Sequence, residues 1–381
     1  MTPALAKKRY ESLDVLRGLT VTFMCMCNNP GNWGKMFRFM QHAPWDGCRP
    51  VDLIYPFFIF CMGCAMAFSL SKFEGRTGAG VAKVIKRSIG IGLVGFLLYM
   101  YPFIPTEDGH FVFSWEKWVD RMADIRIFGV LMRIACSYLI AGLLVLWLKT
   151  PKKIAIALAS LCVIYTGIQV IFGTEPGVFT LEGTVVRKID TAILSEAHMY
   201  HGYAFDDGIR ASFDPEGPLG SLDGAASCLL GYLIGLLIRK TNKEGGDEHV
   251  MVSRIFVYGV LSLGLAEILN IWIPISKPLW SASYVFYAGG WAMIALAFLT
   301  YCIDIKGVRK PFTPFKVMGM NAMMAFVLSA VINKSYQFVH WSPGMTFGGT
   351  VWMSFLHSCI FALVIMGLLW ILYKRKIFIR L

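Results

Sequence analysis

Charged side chains are scarce in this chain of 381 residues. Asp, Glu, Lys and Arg make up 16% of it, whereas a soluble domain averages about 25%. Hydrophobic residues account for 56%, and the mean hydropathy is +0.58. This scarcity of charge excludes an ordinary soluble domain and favours a polytopic membrane protein whose spans are helices. The alternating segments of an outer-membrane barrel are not seen in the sequence.

Several enzyme and metal motifs are also missing. The sequence has no P-loop, no GxSxG and no HExxH. Its ten cysteines fall almost entirely in or beside apolar runs, so we interpret Cys61 and Cys64 in FFIFCMGCAMAF as small packing residues and predict no disulfide framework. His198 and His201 are three residues apart, but no third or fourth ligand can be assigned, so we predict no metal site.

Ten apolar segments of near-spanning length predict an all-α membrane bundle of about ten transmembrane helices, forming one domain over residues 1–381. Asp14 is a candidate N-cap of the first helix. We interpret that helix as an uncleaved span, because no small-x-small cleavage pattern follows it. The predicted segments are 15–29, 51–71, 87–105, 126–148, 153–172, 219–238, 254–273, 280–302, 315–333 and 350–373.

Basic residues predict the orientation. With the N-terminus inside, the inner segments hold 24 Lys or Arg and the outer loops hold 11, while Arg133 lies within a helix. Both termini are therefore predicted to be cytoplasmic, and residues 30–50 to face outward. The formal charge of +12 comes from short clusters between apolar runs and not from a continuous basic stripe, so nucleic acid is not predicted as a partner.

The most informative stretch is the polar segment 28–57, NNPGNWGKMFRFMQHAPWDGCRPVDLIYPF. It holds His42, with Asp46 and Asp52 four and ten residues later. A histidine can take a proton near neutral pH, and a nearby carboxylate can fix its tautomer. Asp52 could equally be a carboxylate favoured at a helix N-terminus. Asn28 is either an ordinary helix end or an amide that polarises a carbonyl oxygen.

Polar side chains also fall within the apolar runs, where charge is costly. Arg17, at the inner end of the first segment, either snorkels to the surface or holds an anion. Arg133 needs a counter-charge, which Asp52 or Glu267 could supply. Asn321, in the ninth segment, either bonds a neighbouring helix or lines a cavity.

Five blocks in order carry a family resemblance: SLDVLRGLTVTFMCMCN followed by HAPWDGCRPVDLIYPFFIFCMG, then RIFGVLMRIACSYL, FDPEGPLGSL, IPISKPLWSASYVFYAGGWA and PFKVMGMNAMMAFVLS. Together they resemble the heparan-α-glucosaminide N-acetyltransferase family of transmembrane acyltransferases. The resemblance implies a bacterial short form without the N-terminal luminal domain of the animal enzyme. It also implies a multi-pass protein of the bacterial inner membrane, with its active-site loop facing the periplasm.

The resemblance implies a transfer from cytoplasmic acetyl-CoA, as co-substrate, to the amine of glucosamine or a terminal glucosaminide on the far side. His42 matches the family's catalytic histidine, Asn28 its asparagine and Asp52 its aspartate. We expect the CoA phosphates at a basic inner rim, with the acetyl group delivered near His42.

The expected donor-binding residues are Arg17, Lys86, Arg87, Arg133 and Asn321. An amino-sugar substrate and the lipid bilayer are the expected partners, and a homodimer would suit the many apolar faces. Two alternatives stay open. One is O-acetylation of a cell-surface glycan, and the other, from a different class, is an amino-sugar transporter.

Overall fold

The computed structural model of the chain describes residues 10–379, apart from residues 74, 108–109, 206–207 and 340. Within that part the fold is a helical bundle with two short hairpins. The α-helices are α1 Glu11–Cys27, α2 Ile54–Ser69, α3 Thr77–Met100, α4 Trp115–Ala123, α5 Val130–Leu148, α6 Pro151–Phe172, α7 Val185–Leu194, α8 Ser221–Glu244, α9 Glu248–Asn270, α10 Ala282–Leu299, α11 Thr313–Met320, α12 Ala322–Ser335, α13 Pro343–Phe347 and α14 Val351–Lys374. The strands are β1 Thr106–Glu107 with β2 His110–Phe111, and β3 Tyr203–Ala204 with β4 Arg210–Ala211, both pairs antiparallel.

The all-α membrane bundle predicted from the sequence is confirmed, with a difference in the number of clear spans. Each of the ten predicted segments contains a helix or a bent helix pair. Among the described residues, seven helices are long and apolar enough to cross a membrane, or eight if α11 and α12 form one bent span. Two of the ten predicted segments do not meet this criterion. The helix of the first, α1, has only 17 residues, and that of the third, α3, carries Lys83, Lys86 and Arg87 in one stretch. The structure thus describes a multi-pass membrane protein with fewer than ten unambiguous spans.

The core forms where the apolar faces of neighbouring helices meet. α2 runs along α8, α3 along α5, and α9 along α10, while α1 lies against α11. The largest group of buried side chains joins α2, α3, α5, α6, α8 and α10 and includes the fully buried Tyr138 and Tyr284. α2 has little exposed surface, so the segment preceding it is held against the middle of the bundle.

The N-terminus of α1 is capped by a side chain from a distant helix. The backbone N–H groups of Glu11 and Ser12 donate to the Asp304 carboxylate over 2.9 and 3.2 Å. Asp14 was predicted as the N-cap, and this prediction was wrong, because α1 begins at Glu11. Asp14 instead faces Arg17 at 3.7 Å within the same helix. A carboxylate from the π-helical segment Thr300–Ile305, which follows α10, therefore satisfies donors that the first helix leaves open.

The ninth segment is broken at Asn321, where α11 and α12 meet at an angle of 74°. The side chain of Asn321 is buried and holds the chain end: its amide donates to the Ile377 carbonyl over 3.2 Å, and its oxygen accepts from the Ile379 N–H over 3.0 Å. The polar groups of this break are thus satisfied by the segment that follows α14.

Hydrogen bonds join three segments that lie between helices. The Trp45 indole N–H donates to the Phe179 carbonyl over 2.7 Å, and the Ser276 hydroxyl donates to the Trp45 carbonyl over 3.0 Å. The Gly47 N–H donates to the Ile275 carbonyl over 2.7 Å. These bonds hold the polar segment before α2 against the turn between α9 and α10.

Two glycines allow α1 and α11 to touch backbone to backbone. A Cβ on Gly18 would lie 1.7 Å from the Phe315 carbonyl oxygen, and a Cβ on Gly319 would lie 1.8 Å from that of Asp14. We therefore expect Gly18→Ala and Gly319→Ala each to lower the melting temperature in detergent, with a cost of about 1–3 kcal/mol for forcing the helices apart.

Gly264 on α9 is the matched control, because a Cβ there meets no atom within 4 Å. Gly264→Ala should leave the melting temperature unchanged or raise it, since alanine favours the helix. Equal melting temperatures for all three variants would contradict the backbone contact.

Candidate active site

The centre of the candidate site is a contact between His42 and Asp52. The Nδ1 of His42 lies 2.6 Å from Oδ1 of Asp52, whose side chain is fully buried while the imidazole is 54% exposed. A carboxylate can only accept, so the proton of this bond is on Nδ1. The neutral ring then carries a lone pair on Nε2, which makes that nitrogen available as a base or nucleophile.

The local sequence explains why Asp52 can reach His42. Residues Pro50–Leu53 form a 3-10 turn ahead of α2, with proline at its first position. The backbone N–H groups of Arg49 and Ala43 donate to Oδ2 of Asp52 over 2.9 and 3.1 Å. Both interpretations of Asp52 from the sequence are therefore realised: it caps a helix entry and it orients the histidine.

Lys277 completes the group and was not predicted. Its Nζ lies 3.0 Å from Nδ1 and 3.4 Å from Nε2 of His42, and 3.5 Å from Oδ1 of Asp52. The residue lies in the turn between α9 and α10, 235 positions beyond His42 in sequence. The available signal was the block IPISKPLW, which carries an isolated lysine in a short outer turn.

A cavity between α1, α2, α5 and α12 opens at this group. It has about 750 Å³ of empty space, counting its open mouth. Its polar lining is concentrated at Asn28, His42, Glu216 and Lys277. The remaining lining is mainly apolar: Thr20, Val21, Met24, Val51, Ile54, Tyr55, Phe58, Val130, Leu131, Ile134, Ala322, Met323 and Phe326. The site is thus the polar end of a pocket that extends into the bundle.

Glu216 reaches the cavity from the loop before α8 and is held by Arg126. The guanidinium of Arg126 donates to Oε2 of Glu216 over 2.6 Å and to both oxygens of Asp214 over 2.5 and 2.9 Å. Burial acts to raise the pKa of Glu216, but the charges of Arg126 and Lys277 outweigh it and hold that pKa below its ordinary value. Glu216 is therefore an anionic wall of the cavity at neutral pH.

Arg133 is buried beside this loop and does not line the cavity. Its guanidinium donates to the carbonyl oxygens of Pro215 and Gly220 and lies 4.5 Å from the centre of the Trp280 ring. The counter-charge expected from Asp52 or Glu267 is not what holds it. Asp52 is engaged by His42, and Glu267 is exposed on α9. Two carbonyl oxygens and an aromatic face hold the guanidinium instead, while its buried Nε has no hydrogen-bond partner among the described residues.

The two asparagines that end α1 differ in their surroundings. Asn28 is exposed and lines the cavity, and its carbonyl accepts from the Asn333 amide over 3.3 Å. It follows the last residue of α1 in a right-handed conformation, with φ −83°. Asn29 is buried and donates to the Cys25 carbonyl and the Ser329 hydroxyl. The side chain of Asn28 is therefore the one that can face a bound molecule.

The expected donor-binding residues are not brought together. Arg17 lies one helical turn from Thr20 of the cavity lining, and its Nη1 is 3.5 Å from the Gly319 carbonyl. Lys86 is exposed on α3, and Arg87 packs over the Tyr138 ring at 4.8 Å. The side chain of Asn321 is hydrogen-bonded to the backbone of Ile377 and Ile379. Arg17 and Arg133 each lie within one helical turn of a lining residue, but neither side chain lines the cavity itself.

The described residues contain no group of three His, Cys, Asp or Glu side chains that could hold a metal ion. His198 and His201 make separate contacts. Nδ1 of His198 lies 2.8 Å from the Ile125 carbonyl, and Nδ1 of His201 lies 3.3 Å from the Ser212 hydroxyl. Cys61 and Cys64 are buried thiols, as the packing interpretation predicted.

Comparison with known proteins finds a family to which part of this chain is similar. The model of a family described as heparan-alpha-glucosaminide N-acetyltransferase, catalytic, matches residues 9–181. Two proteins named heparan-alpha-glucosaminide N-acetyltransferase, from Homo sapiens and Mus musculus, are each 25% identical to the chain over 97% and 87% of its length. The chain spans 59% and 54% of the length of these relatives. The resemblance inferred from the sequence blocks is confirmed, and the matched family region includes Asn28, His42 and Asp52 but not Glu216 or Lys277.

The loop that carries Glu216 is also tied down by Asp190 of α7, which gives a stability prediction. Oδ1 of the buried Asp190 accepts from the Leu219 N–H over 3.0 Å. Burial raises the pKa of Asp190 to about 7 from 3.8. Between these values the folded protein keeps a proton that the unfolded chain releases, so stability falls as pH rises through this window. The loss is complete above about pH 7 and amounts to a few kcal/mol.

Asp190→Asn should remove this dependence while keeping the acceptor for the Leu219 N–H. We expect the melting temperature of the wild type to drop more between pH 5 and pH 8 than that of the variant. Asp120→Asn, at an exposed position on α4, is the control and should behave like the wild type. An equal drop in wild type and Asp190→Asn would contradict the burial of an ionisable carboxyl here.

Proposed function

Because the chain is related to the heparan-alpha-glucosaminide N-acetyltransferases, we propose that it is a membrane N-acetyltransferase. It takes the acetyl group of acetyl-CoA from the cytoplasmic side and places it on the amine of glucosamine or a terminal glucosaminide on the opposite side. The observation that carries this proposal is the His42–Asp52 pair, 2.6 Å apart, at the polar mouth of an apolar cavity.

The pair supplies a base at the acceptor end. The His42 ring donates a hydrogen bond from Nδ1–H to Asp52. Its Nε2 lone pair is therefore the one that faces the substrate. Asp52 is held by two backbone N–H groups as well, so it fixes the ring orientation without itself moving. An amine must be neutral to attack a thioester, so the ammonium first releases one proton to solvent, and His42 takes the second proton as the carbon–nitrogen bond forms.

Glu216 favours an amine as the acceptor over a hydroxyl. It is an ionised carboxylate in the cavity wall, held by Arg126, and it attracts an ammonium group before deprotonation. A sugar hydroxyl would gain no such attraction. N-acetylation is therefore the stronger proposal, and O-acetylation of a cell-surface glycan is the alternative that the acceptor assay tests.

The apolar body of the cavity suits the donor. The pantetheine arm of acetyl-CoA is neutral, whereas its nucleotide is highly anionic and cannot enter a bilayer. We propose that the arm lies between α1, α2, α5 and α12 with its thioester near His42. The phosphates stay at the inner basic rim, where Arg17, Lys86 and Arg87 are the candidates. Arg133 and Asn321 are left out of this role because both are buried, and Asn321 and the two terminal nitrogens of Arg133 already bond to backbone groups.

Two routes use the same geometry. In the direct route the acceptor nitrogen attacks the thioester carbon, His42 takes the amine proton, and the proton passes to the departing CoA thiolate. In the covalent route Nε2 of His42 attacks first, CoA leaves, and the amine then takes the acetyl group from the imidazole. Stoichiometric CoA release from purified protein without any sugar would identify the covalent route, and its absence the direct one.

We expect His42→Ala to reduce acetyl transfer by more than about 100-fold, because the step loses its base or nucleophile. The variant should have a lower melting temperature, because the buried Asp52 loses one donor, but it should stay folded and bind acetyl-CoA, because the Arg49 and Ala43 N–H groups and the Lys277 ammonium remain beside that carboxylate. The measurement is formation of N-acetylglucosamine from glucosamine and acetyl-CoA by the purified protein.

His201→Ala is the matched control, because His201 is exposed, lies outside the cavity lining, and its Nδ1 is 3.3 Å from the Ser212 hydroxyl. That variant should keep full activity. Full activity in His42→Ala would end the proposal for this residue. Sugar uptake into vesicles without acetyl-CoA, with no acetylated product, would favour the transporter alternative.

A further inference from the structure

Several hydrogen bonds hold the turn that carries Lys277. The Ser276 N–H donates to the Ser281 hydroxyl over 3.1 Å, and the Trp280 N–H donates to the Lys277 carbonyl over 3.0 Å. The neighbouring Trp280 is buried, and its indole N–H donates to the Ser227 hydroxyl over 3.0 Å. The backbone of Lys277 is therefore fixed, and its side chain, 15% exposed, projects into the cavity.

The ammonium of Lys277 stands beside both nitrogens of His42 but cannot be a simple hydrogen-bond partner of Nδ1. That nitrogen already donates to Asp52 over 2.6 Å. Lys277 is thus a cation next to the ring, with Asp52 as a counter-ion at 3.5 Å. An ammonium has three N–H donors. Oδ1 of Asp52 at 3.5 Å and Nε2 of His42 at 3.4 Å can accept two of them, which leaves one for a molecule in the cavity.

The position of this donor matches where negative charge forms in acyl transfer. A carbonyl carbon attacked from the Nε2 side of His42 sits roughly 3–3.5 Å from the attacking nitrogen. Lys277 Nζ is 3.4 Å from Nε2, so a carbonyl oxygen that points toward the turn between α9 and α10 would lie within hydrogen-bond reach of the ammonium. Charged donors stabilise such an oxyanion about twice as strongly as neutral ones. Asn28, the other donor at the cavity mouth, is neutral.

We propose that Lys277 is a catalytic residue that stabilises the oxyanion of the acetyl-transfer step, an assignment that rests on the proposed function. As the carbon–nitrogen bond forms, the carbonyl electron pair moves to oxygen and Lys277 donates an N–H to it without losing its proton. The oxyanion then collapses, the carbonyl re-forms and the carbon–sulfur bond breaks. The thiolate leaves as CoA after taking the proton held by His42.

The test compares Lys277→Met and Lys277→Arg in the full-length protein. Removing an oxyanion donor costs about 100- to 1,000-fold in kcat. Lys277→Met should therefore lose kcat by about that factor, with the KM for acetyl-CoA and for glucosamine within about threefold of wild type. Lys277→Arg keeps the positive charge and should recover at least about tenfold of the lost kcat. Lys35→Met is the control, because Lys35 is an exposed lysine of the same outer surface that bonds the Gly349 carbonyl, and it should keep wild-type kinetics.

Several results would overturn the assignment. A kcat for Lys277→Met within threefold of wild type would remove Lys277 from the chemistry. A loss confined to KM would make it a binding residue, and a Lys277→Arg protein no better than Lys277→Met, with both folded and binding acetyl-CoA, would rule out its charge. Unfolding of both variants, read from their melting temperatures, would make it structural. If wild-type protein forms no acetylated sugar, the proposed function itself fails, which is distinct from all these outcomes.

Discussion

A carboxylate without exposed surface, at the entry to a membrane helix, is costly unless donors surround it. Asp52 is such a group, and its hydrogen bonds hold the segment that carries His42 in place. The Arg49 and Ala43 N–H groups and the His42 ring donate to its carboxylate, while the Tyr284 hydroxyl of α10 donates to its carbonyl over 2.6 Å. The requirement to satisfy one buried charge therefore positions the imidazole and joins the polar outer segment to the centre of the bundle.

A second group of buried charges, beside the first, is also paired within the protein. Arg126 gathers Asp214 and Glu216, and Arg133 holds the backbone of the loop between them and α8. Burial works to lower the pKa of Arg126, but its bonds to Asp214 and the charge of Glu216 raise it overall. The arginine therefore stays charged, and the loop cannot leave without exposing unpaired charges. This keeps Glu216 on the cavity wall, opposite in sign to Lys277.

Local sequence features were enough to predict the parts of the molecule that depend on neighbouring residues. Apolar runs of spanning length predicted the long helices of the bundle, and the ten-residue interval between His42 and Asp52 made their contact one of two interpretations of Asp52. The features that the sequence analysis missed depend on contacts between residues that are distant in the sequence. Lys277 comes from a turn that looks like any short outer loop, and the carbonyls that hold Arg133 have no sequence signature. Asp304 caps α1 from the π-helical segment after α10, so the residues near Asp14 could not reveal it.

The break at Asn321 was hidden for a related reason. No proline marks it, and the ninth segment reads as one apolar run. The chain bends there because Gly319 lies against the backbone of α1 and because Asn321 bonds the segment after α14. This places a bent helix pair beside the inner part of the cavity, with α12 contributing Ala322 and Met323 to the lining.

The central claim is that an acyl donor loaded on one side of the membrane is consumed at His42 on the other. Sealed proteoliposomes of known protein orientation test it most directly, with acetyl-CoA confined to the side of the chain end at residues 374–379 and glucosamine confined to the opposite side. The account predicts N-acetylglucosamine on the glucosamine side in this arrangement. Product formed only when both substrates share one compartment would contradict it.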